Sequence, residues 1–195
     1  MRRNVTAKIL PALLICLLGP TALIPAQATA PAAAPASPDN ALSVNNRFLY
    51  RMLKAVMLRS AEKMPEESYG FKPTEAVRSF GEIVGDVAES QYLFCSEVLG
   101  EKNPAPGEKS KPSKVDRIAA LKSAFAYCDK PYEGMTDASA AEMMKHMGLD
   151  MPRLGVLTAN NLHIVEHYGN IAIYLRMKNI VPPTNEPEFM QQLMK

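Results

Sequence analysis

Apolar residues recur every three or four positions along most of this sequence, and this spacing constrains the fold more than any other feature. In residues 74–99 the stripe includes Val77, Phe80 and Val84, and Phe48 and Val115 lie on similar stripes of two other segments, so these residues are predicted to face the core. A 3.6-residue period predicts amphipathic helices that pack their apolar sides together. Strand-like alternation bounded by turn residues is absent from the sequence. We therefore predict an all-α protein.

Cap and turn residues divide this pattern into four long helices. They are predicted over residues 42–64, 74–99, 113–129 and 151–179, with a short helical segment over residues 137–147. Thr74 is the predicted N-cap of the second helix, and Gly100 ends it. Four long helices of this kind favour a four-helix bundle.

The polar link between the second and third predicted helices is long. It spans residues 100–113, and about 14 extended residues can cross about 45 Å. The third helix is only about 25 Å long at 1.5 Å per residue. The link can therefore form a crossover that leaves the second and third helices parallel.

The first residues have the layout of a secretory signal peptide. A basic start, an apolar run over residues 9–24 and a small-x-small site at residues 26–28 follow one another. The alternative, a membrane anchor, is disfavoured because Pro11 and Pro20 interrupt a run too short to span about 30 Å of hydrocarbon. We predict cleavage after Ala28, export to the periplasm or the medium, and no membrane attachment of the mature protein.

The residues after this site divide into a spacer and a domain. Residues 29–39 are rich in Ala and Pro and predict a flexible linker. Residues 40–195 are long enough for one hydrophobic core. The chain has 22 Lys and Arg against 20 Asp and Glu and no Trp, and no basic patch with interleaved aromatic residues stands out. Nucleic-acid binding is therefore not predicted.

Two cysteines remain after removal of residues 1–28, and they test the crossover. In an antiparallel hairpin, Cys95 and Cys128 would lie about 15 Å apart along the helix axes, too far to bridge. In a parallel pair they lie at the same level, and their disulfide would stabilise the fold by about 3–4 kcal/mol. The alternative is two buried free thiols.

Three histidines are the main candidates for metal chemistry. His163 and His167 are four residues apart on one helix face, so both imidazoles can reach one divalent ion. Two surface or hydrogen-bonded histidines would explain the same spacing. His146 lies in a Met-rich stretch where a copper site is chemically possible, although gap-filling core methionines are favoured. The methionines that share a face there are Met143, Met147 and Met151.

Two stretches resemble the DinB-like superfamily, in particular its exported members. They are PTEAVRSFGEIVGDVAESQYLFCS and LHIVEHYGNIAIYLRMKNIVPP, of which EHYGN…YLR is the most specific part. The resemblance covers most of residues 40–183. It implies a four-helix bundle in up-down-down-up order, in agreement with the crossover described above.

The resemblance also implies a metal site. Many members bind zinc or nickel through one histidine of the second helix and an H-x-x-x-H pair of the last helix. The pair corresponds to His163 and His167, whereas Asp86 stands where the third histidine is expected. A carboxylate can complete such a set, so we predict a divalent ion, zinc or nickel first and iron or manganese next. If Asp86 is not a ligand, Glu82 or Glu89 is the next candidate.

Residues 163–167 also match H-x-x-E-H, the inverted zinc-protease motif, in which Glu166 would be the general base. That motif needs a further glutamate ligand downstream, for which Glu186 and Glu188 are the candidates. The motif also belongs to much larger folds. This alternative is therefore disfavoured.

The function predicted from the sequence is an exported, metal-binding bundle that acts on an unknown small molecule in transferase or hydrolase chemistry. Some relatives transfer low-molecular-weight thiols, but those cofactors are cytoplasmic and this chain is predicted to be exported. The alternative is a non-catalytic binding or scaffold bundle with a degenerate metal site. Related proteins that form dimers make a homodimer compatible with either function.

Overall fold

The computed structural model of the protein describes residues 39–107 and 112–194. The predicted signal peptide and nearly all of the predicted spacer lie outside the described residues. The secondary structure comprises helices α1 (Ala41–Lys63), α2 (Phe80–Leu99), α3 (Lys114–Gly134), α4 (Asp137–Ala140), α5 (Arg153–Met177) and α6 (Pro187–Leu193), and strands β1 (Met143–His146) and β2 (Leu149–Pro152). The all-α prediction is confirmed, with one small hairpin added to it.

Helix α2 begins later than the sequence predicted. Its N-cap is Ser79, whose Oγ accepts from the Glu82 amide at 3.3 Å while the Glu82 carboxylate accepts from the Ser79 amide at 2.6 Å. This reciprocal capping box satisfies two amides that the first turn would otherwise leave unpaired. The prediction of Thr74 as the N-cap is therefore wrong by five residues. Gly100 ends the helix in the left-handed region, at φ 70°, as predicted.

Helices α2 and α3 run parallel, as the crossover requires. Near their N-termini, the Arg117 guanidinium donates to the Gly81 carbonyl oxygen. Farther along both helices, Cys95 and Cys128 pair as a disulfide with their Cα atoms 5.3 Å apart. Because both contacts join residues at matching levels, the link between the helices returns along the bundle.

Helix α5 runs antiparallel to α2 and parallel to α1. Gln91 pairs with Asn160, and nearer the start of α2 the Tyr174 hydroxyl donates to the Arg78 carbonyl oxygen. On the other side, Asn46 accepts from Asn161. The opposite end of α1 binds the chain just after α5, where Lys63 donates to the Val181 carbonyl oxygen at 2.6 Å. Helix α1 is antiparallel to α3, so the up-down-down-up prediction is confirmed.

The core between the four long helices is mostly apolar, and a small network of hydrogen-bonded polar side chains lies within it. The Tyr50 and Tyr132 rings stack at 3.8 Å between centroids, and both cysteines of the disulfide are fully buried. Gln91 and Asn160 are also fully buried, and each amide donates to the other at 2.9 Å. Asn160 further donates to the Tyr132 hydroxyl at 3.2 Å. The side-chain amides of Gln91 and Asn160 are therefore both hydrogen-bonded, as is usual for buried polar groups.

The segment predicted as a helix over residues 137–147 is mostly a hairpin. Helix α4 ends at Ala140, and β1 pairs antiparallel with β2 across a turn at Met147 and Gly148, both with positive φ. Two consecutive positive φ angles suit a two-residue hairpin turn. Met147 is 82% exposed and Met143 63% exposed, so their prediction as gap-filling core residues is wrong.

Three other residues predicted from the periodicity to be core are exposed: Phe48, Val77 and Val115.

Among the helices of residues 39–107 and 112–194, none combines the length and the apolar character needed to span a membrane.

Candidate metal centre

The antiparallel register of α2 and α5 brings three potential ligands together. Asp86 lies in the second turn of α2, and His163 and His167 lie one turn apart near the middle of α5. Their ligand atoms all lie within 4.8 Å of one another. The structure thus unites all three residues that the sequence selected, as a possible metal-binding triad.

The distances within the triad are short. The two Nε2 atoms are 3.1 Å apart, and Asp86 Oδ2 lies 3.0 Å from His167 Nε2 and 3.7 Å from His163 Nε2. Ligands bound at about 2.1 Å are separated by about 3.0 Å at a right angle and about 3.4 Å at a tetrahedral angle. The three separations lie close to these values, so the donor set fits one divalent ion.

The surroundings of the two rings also suit a metal. His167 is 4% exposed, and the Nδ1 atom of each ring is buried with no hydrogen-bond partner among the described residues. Both rings therefore direct their interactions through Nε2. Burial lowers the pKa of His163, the nearby His167 adds to this effect, and Asp86 opposes it. A lowered pKa keeps the imidazole neutral near pH 7, as metal ligation requires.

Three neighbouring side chains surround the triad, and the sequence did not select them. The Ser90 hydroxyl donates to the Asp86 carbonyl oxygen at 2.6 Å and lies 3.4 Å from His163 Nε2. The Phe94 ring lies 6.0 Å from the His163 ring, and the Arg78 guanidinium lies 3.5 Å from Asp86. Ser90 could have been found because it lies one turn after Asp86 on the same helix face.

The alternative ligands do not join the triad in the part of the chain that the structure describes. Glu82 is the acidic partner of the capping box, and Glu89 is not among the residues whose ligand atoms converge. His146 is buried elsewhere: its Nδ1 lies 2.5 Å from a Glu97 oxygen, and its ring packs 5.0 Å from Phe94. The exposure of Met143 and Met147 removes the support for a copper site built from them with His146.

The protease alternative also loses its support. The carboxylate of Glu186 is paired with Arg59 and Lys63 at the end of α1. A cavity of about 590 Å³ lies at this end, and its two cations, Arg59 and Lys63, are both paired with Glu186. Glu186 and Glu188, the two candidates for the downstream ligand, therefore both line a cavity that does not include the histidines.

A cavity of about 330 Å³ lies beside the triad and shares His167 with it. Helix α5 contributes three further residues to its wall, and the segment before α2 contributes Arg78. This volume is at the lower end for small-molecule sites. Besides His167, the side chains that line this cavity include Val77, Arg78, Ile83, Glu166, Asn170 and Tyr174.

Comparisons with known proteins agree with this architecture. The family model of the DinB superfamily matches residues 49–171. The uncharacterized protein YjoA of Bacillus subtilis (strain 168) is 25% identical over 122 residues, which cover 60% of this chain and 77% of YjoA. The crystal structure of a DinB-like protein from Bacillus cereus ATCC 10987 superposes with a TM-score of 0.60 at 13% identity, covering 67% of this chain and 89% of that one. This chain belongs to the DinB superfamily.

Proposed function

We propose that this protein is an exported divalent-metal protein whose ion is held by Asp86, His163 and His167. The observation that carries the proposal is the convergence of three ligand atoms within 4.8 Å from two different helices. Zinc or nickel is the proposed ion, with iron or manganese next. Two imidazoles and one carboxylate form a ligand set used for catalytic zinc and for non-haem iron, and nitrogen ligands favour nickel over manganese.

The proposed chemistry is metal-assisted transfer or hydrolysis on a small molecule. A divalent ion at this site supplies Lewis acidity, which lowers the pKa of an oxygen or sulfur nucleophile. Asp86 contributes the negative charge of the ligand set, and the buried His167 restricts water on its side.

Export is part of the proposal. Disulfides persist in oxidising compartments and are rare in the cytosol, so the Cys95–Cys128 pair supports a location outside the cytoplasm. The layout of residues 1–28 supports the same location. The test is the mass of the exported protein, which we expect to begin at Thr29. A protein that still begins at Met1 would contradict cleavage.

The metal proposal is tested by the metal content of residues 29–195, purified without a His tag. We expect one equivalent of metal in the wild type and none in His163→Ala/His167→Ala. Asp86→Ala should lower the metal affinity at least tenfold because one of three ligands is lost. Glu89→Ala serves as the acidic control and should keep the wild-type affinity.

Two outcomes would contradict the proposal. A wild-type protein that takes up none of the four ions after reconstitution would identify a degenerate site and favour a non-catalytic binding or scaffold bundle. Metal that is lost in Glu89→Ala but retained in Asp86→Ala would move the third ligand to Glu89.

A further inference from the structure

The cavity beside His167 carries charges of both signs on its wall, and neither belongs to the metal ligands. Arg78 lies just before the N-cap of α2, and Glu166 lies on α5, one residue before His167. Their side chains are the charged groups of the lining other than the histidine. A cavity with one cation and one anion is complementary to a small molecule that carries both.

Arg78 is available to a ligand at low cost. Its guanidinium lies 3.5 Å from Asp86, and its side chain is 59% exposed. This pair contributes little to stability, because the separation is long and water screens the exposed guanidinium. An ion bound at the triad would also place positive charge next to Arg78, and an anion between the two would offset that repulsion.

The wall of the cavity limits the size and charge of this anion. Arg78 is the one Arg or Lys on the described lining, and Glu166 would repel a dianion such as phosphate. Ile83 and Val77 add apolar surface, suited to an aliphatic group. The Tyr174 hydroxyl donates to the Arg78 carbonyl oxygen at 2.9 Å and thereby fixes the backbone of the Arg78 segment against α5.

We propose that this cavity binds small zwitterionic amino acids, with Arg78 holding the carboxylate, Glu166 the ammonium group, and Val77 and Ile83 the aliphatic side chain. The inference rests on the proposed function, because it supplies the substrate class for that metal centre. Arg78 and Glu166 act here as specificity-determining residues. Their charges select the zwitterion over molecules that carry only one of its two groups.

Calorimetric titration of the zinc-loaded protein tests the inference with three matched probes. L-Valine carries both groups, isovalerate lacks the ammonium group, and isobutylamine lacks the carboxylate. We expect L-valine to bind most tightly. Arg78→Met should weaken L-valine and isovalerate about tenfold or more and leave isobutylamine unchanged, because one charge-assisted contact is lost.

Glu166→Gln should show the reverse pattern, weakening L-valine and isobutylamine but not isovalerate. Lys145→Met removes a cation on the hairpin, where Lys145 pairs with Asp150, and is the matched control with unchanged binding. Both cavity residues are exposed, so their substitution should preserve the fold, which circular dichroism verifies.

The zinc content of the same samples separates the two proposals. Zinc uptake with L-valine binding that is absent, or insensitive to Arg78→Met, overturns the amino-acid inference and leaves the metal centre standing. A wild-type protein that takes up no metal overturns the proposed function, and with it the assignment of amino acids as its substrates.

Discussion

The buried amide pair Gln91–Asn160 should make a large and strongly coupled contribution to stability. Both side chains are fully buried, and two hydrogen bonds of 2.9 Å join them. Gln91→Leu removes both bonds, at about 1 kcal/mol each, and leaves the Asn160 oxygen unpaired, at a further 1–3 kcal/mol. After allowance for the added apolar side chain, we expect a loss of about 3 kcal/mol in the free energy of unfolding.

Asn160→Leu should cost about as much, since it strands the Gln91 amide. In the double variant no amide is left unpaired, so the total loss should be no more than about 4 kcal/mol. Urea unfolding followed by circular dichroism measures all four proteins of this cycle. The two single losses together therefore exceed the loss in the double variant by about 2 kcal/mol, and this coupling energy is the predicted quantity.

The exposed Gln191→Leu on α6 is the control and should change the free energy of unfolding by less than about 0.5 kcal/mol. Additive losses in the double variant would refute the reasoning, because they would show that the two amides do not satisfy each other. Single losses below about 1 kcal/mol would refute it as well.

Two further predictions concern the disulfide and the start of α1. The Cys95–Cys128 bond, at a sequence separation of 33, should stabilise the oxidised protein by about 3.7 kcal/mol over the reduced one. Equal urea midpoints with and without reductant would contradict this. The control variant Cys95→Ala/Cys128→Ala should have the same midpoint in both conditions. Hydrogen bonds from the Ser43 and Leu42 amides lower the pKa of Asp137 in the folded protein. The carboxylate therefore stabilises the fold above its unfolded-state pKa of about 3.9, and this contribution is lost as the pH falls through the lower folded-state pKa. The stability gap between the wild type and Asp137→Asn should therefore narrow from pH 7 to pH 3 in urea unfolding, and a constant gap would contradict the role of the carboxylate.

The long elements of the fold could be predicted because their signals are local. The periodicity located four helices, and the length of the link allowed the parallel arrangement of α2 and α3. The positions of Cys95 and Cys128 along their helices agreed with this parallel arrangement. The boundary of α2 was missed although its capping box, Ser79 with Glu82, is readable in the sequence. Thr74 offered a competing cap, but Val77 stands three residues after it, where a capping box needs Glu or Gln.

The hairpin could not be predicted because Met and Lys are good helix formers. Its strands are only four residues long, and the left-handed conformation of Met147 is unusual for a residue with a long side chain. Val115 was assigned to the core by its period, but it lies in the first turn of α3, where it is 70% exposed. Periodicity alone does not reveal where a bundle ends.

Some residues of the candidate site could be predicted from the sequence, and others could not. The four-residue spacing selected His163 and His167, and the resemblance supplied Asp86 as the residue that stands where a third histidine is expected. Arg78 and Phe94 could not be found from the sequence, since their proximity to the triad depends on how α2 and α5 are packed. The opposed charges of the cavity, Arg78 and Glu166, likewise come from segments far apart in the chain.

The disulfide has a topological consequence for the crossover. The peptide backbone from Cys95 to Cys128 and the bond between their sulfurs form a covalent ring that contains the whole link between α2 and α3. One cut in that link therefore leaves a single molecule, with both halves still joined through sulfur. New chain ends placed there would make a circular permutant without disconnecting the parallel helices, and two separately made halves could be joined by oxidation alone.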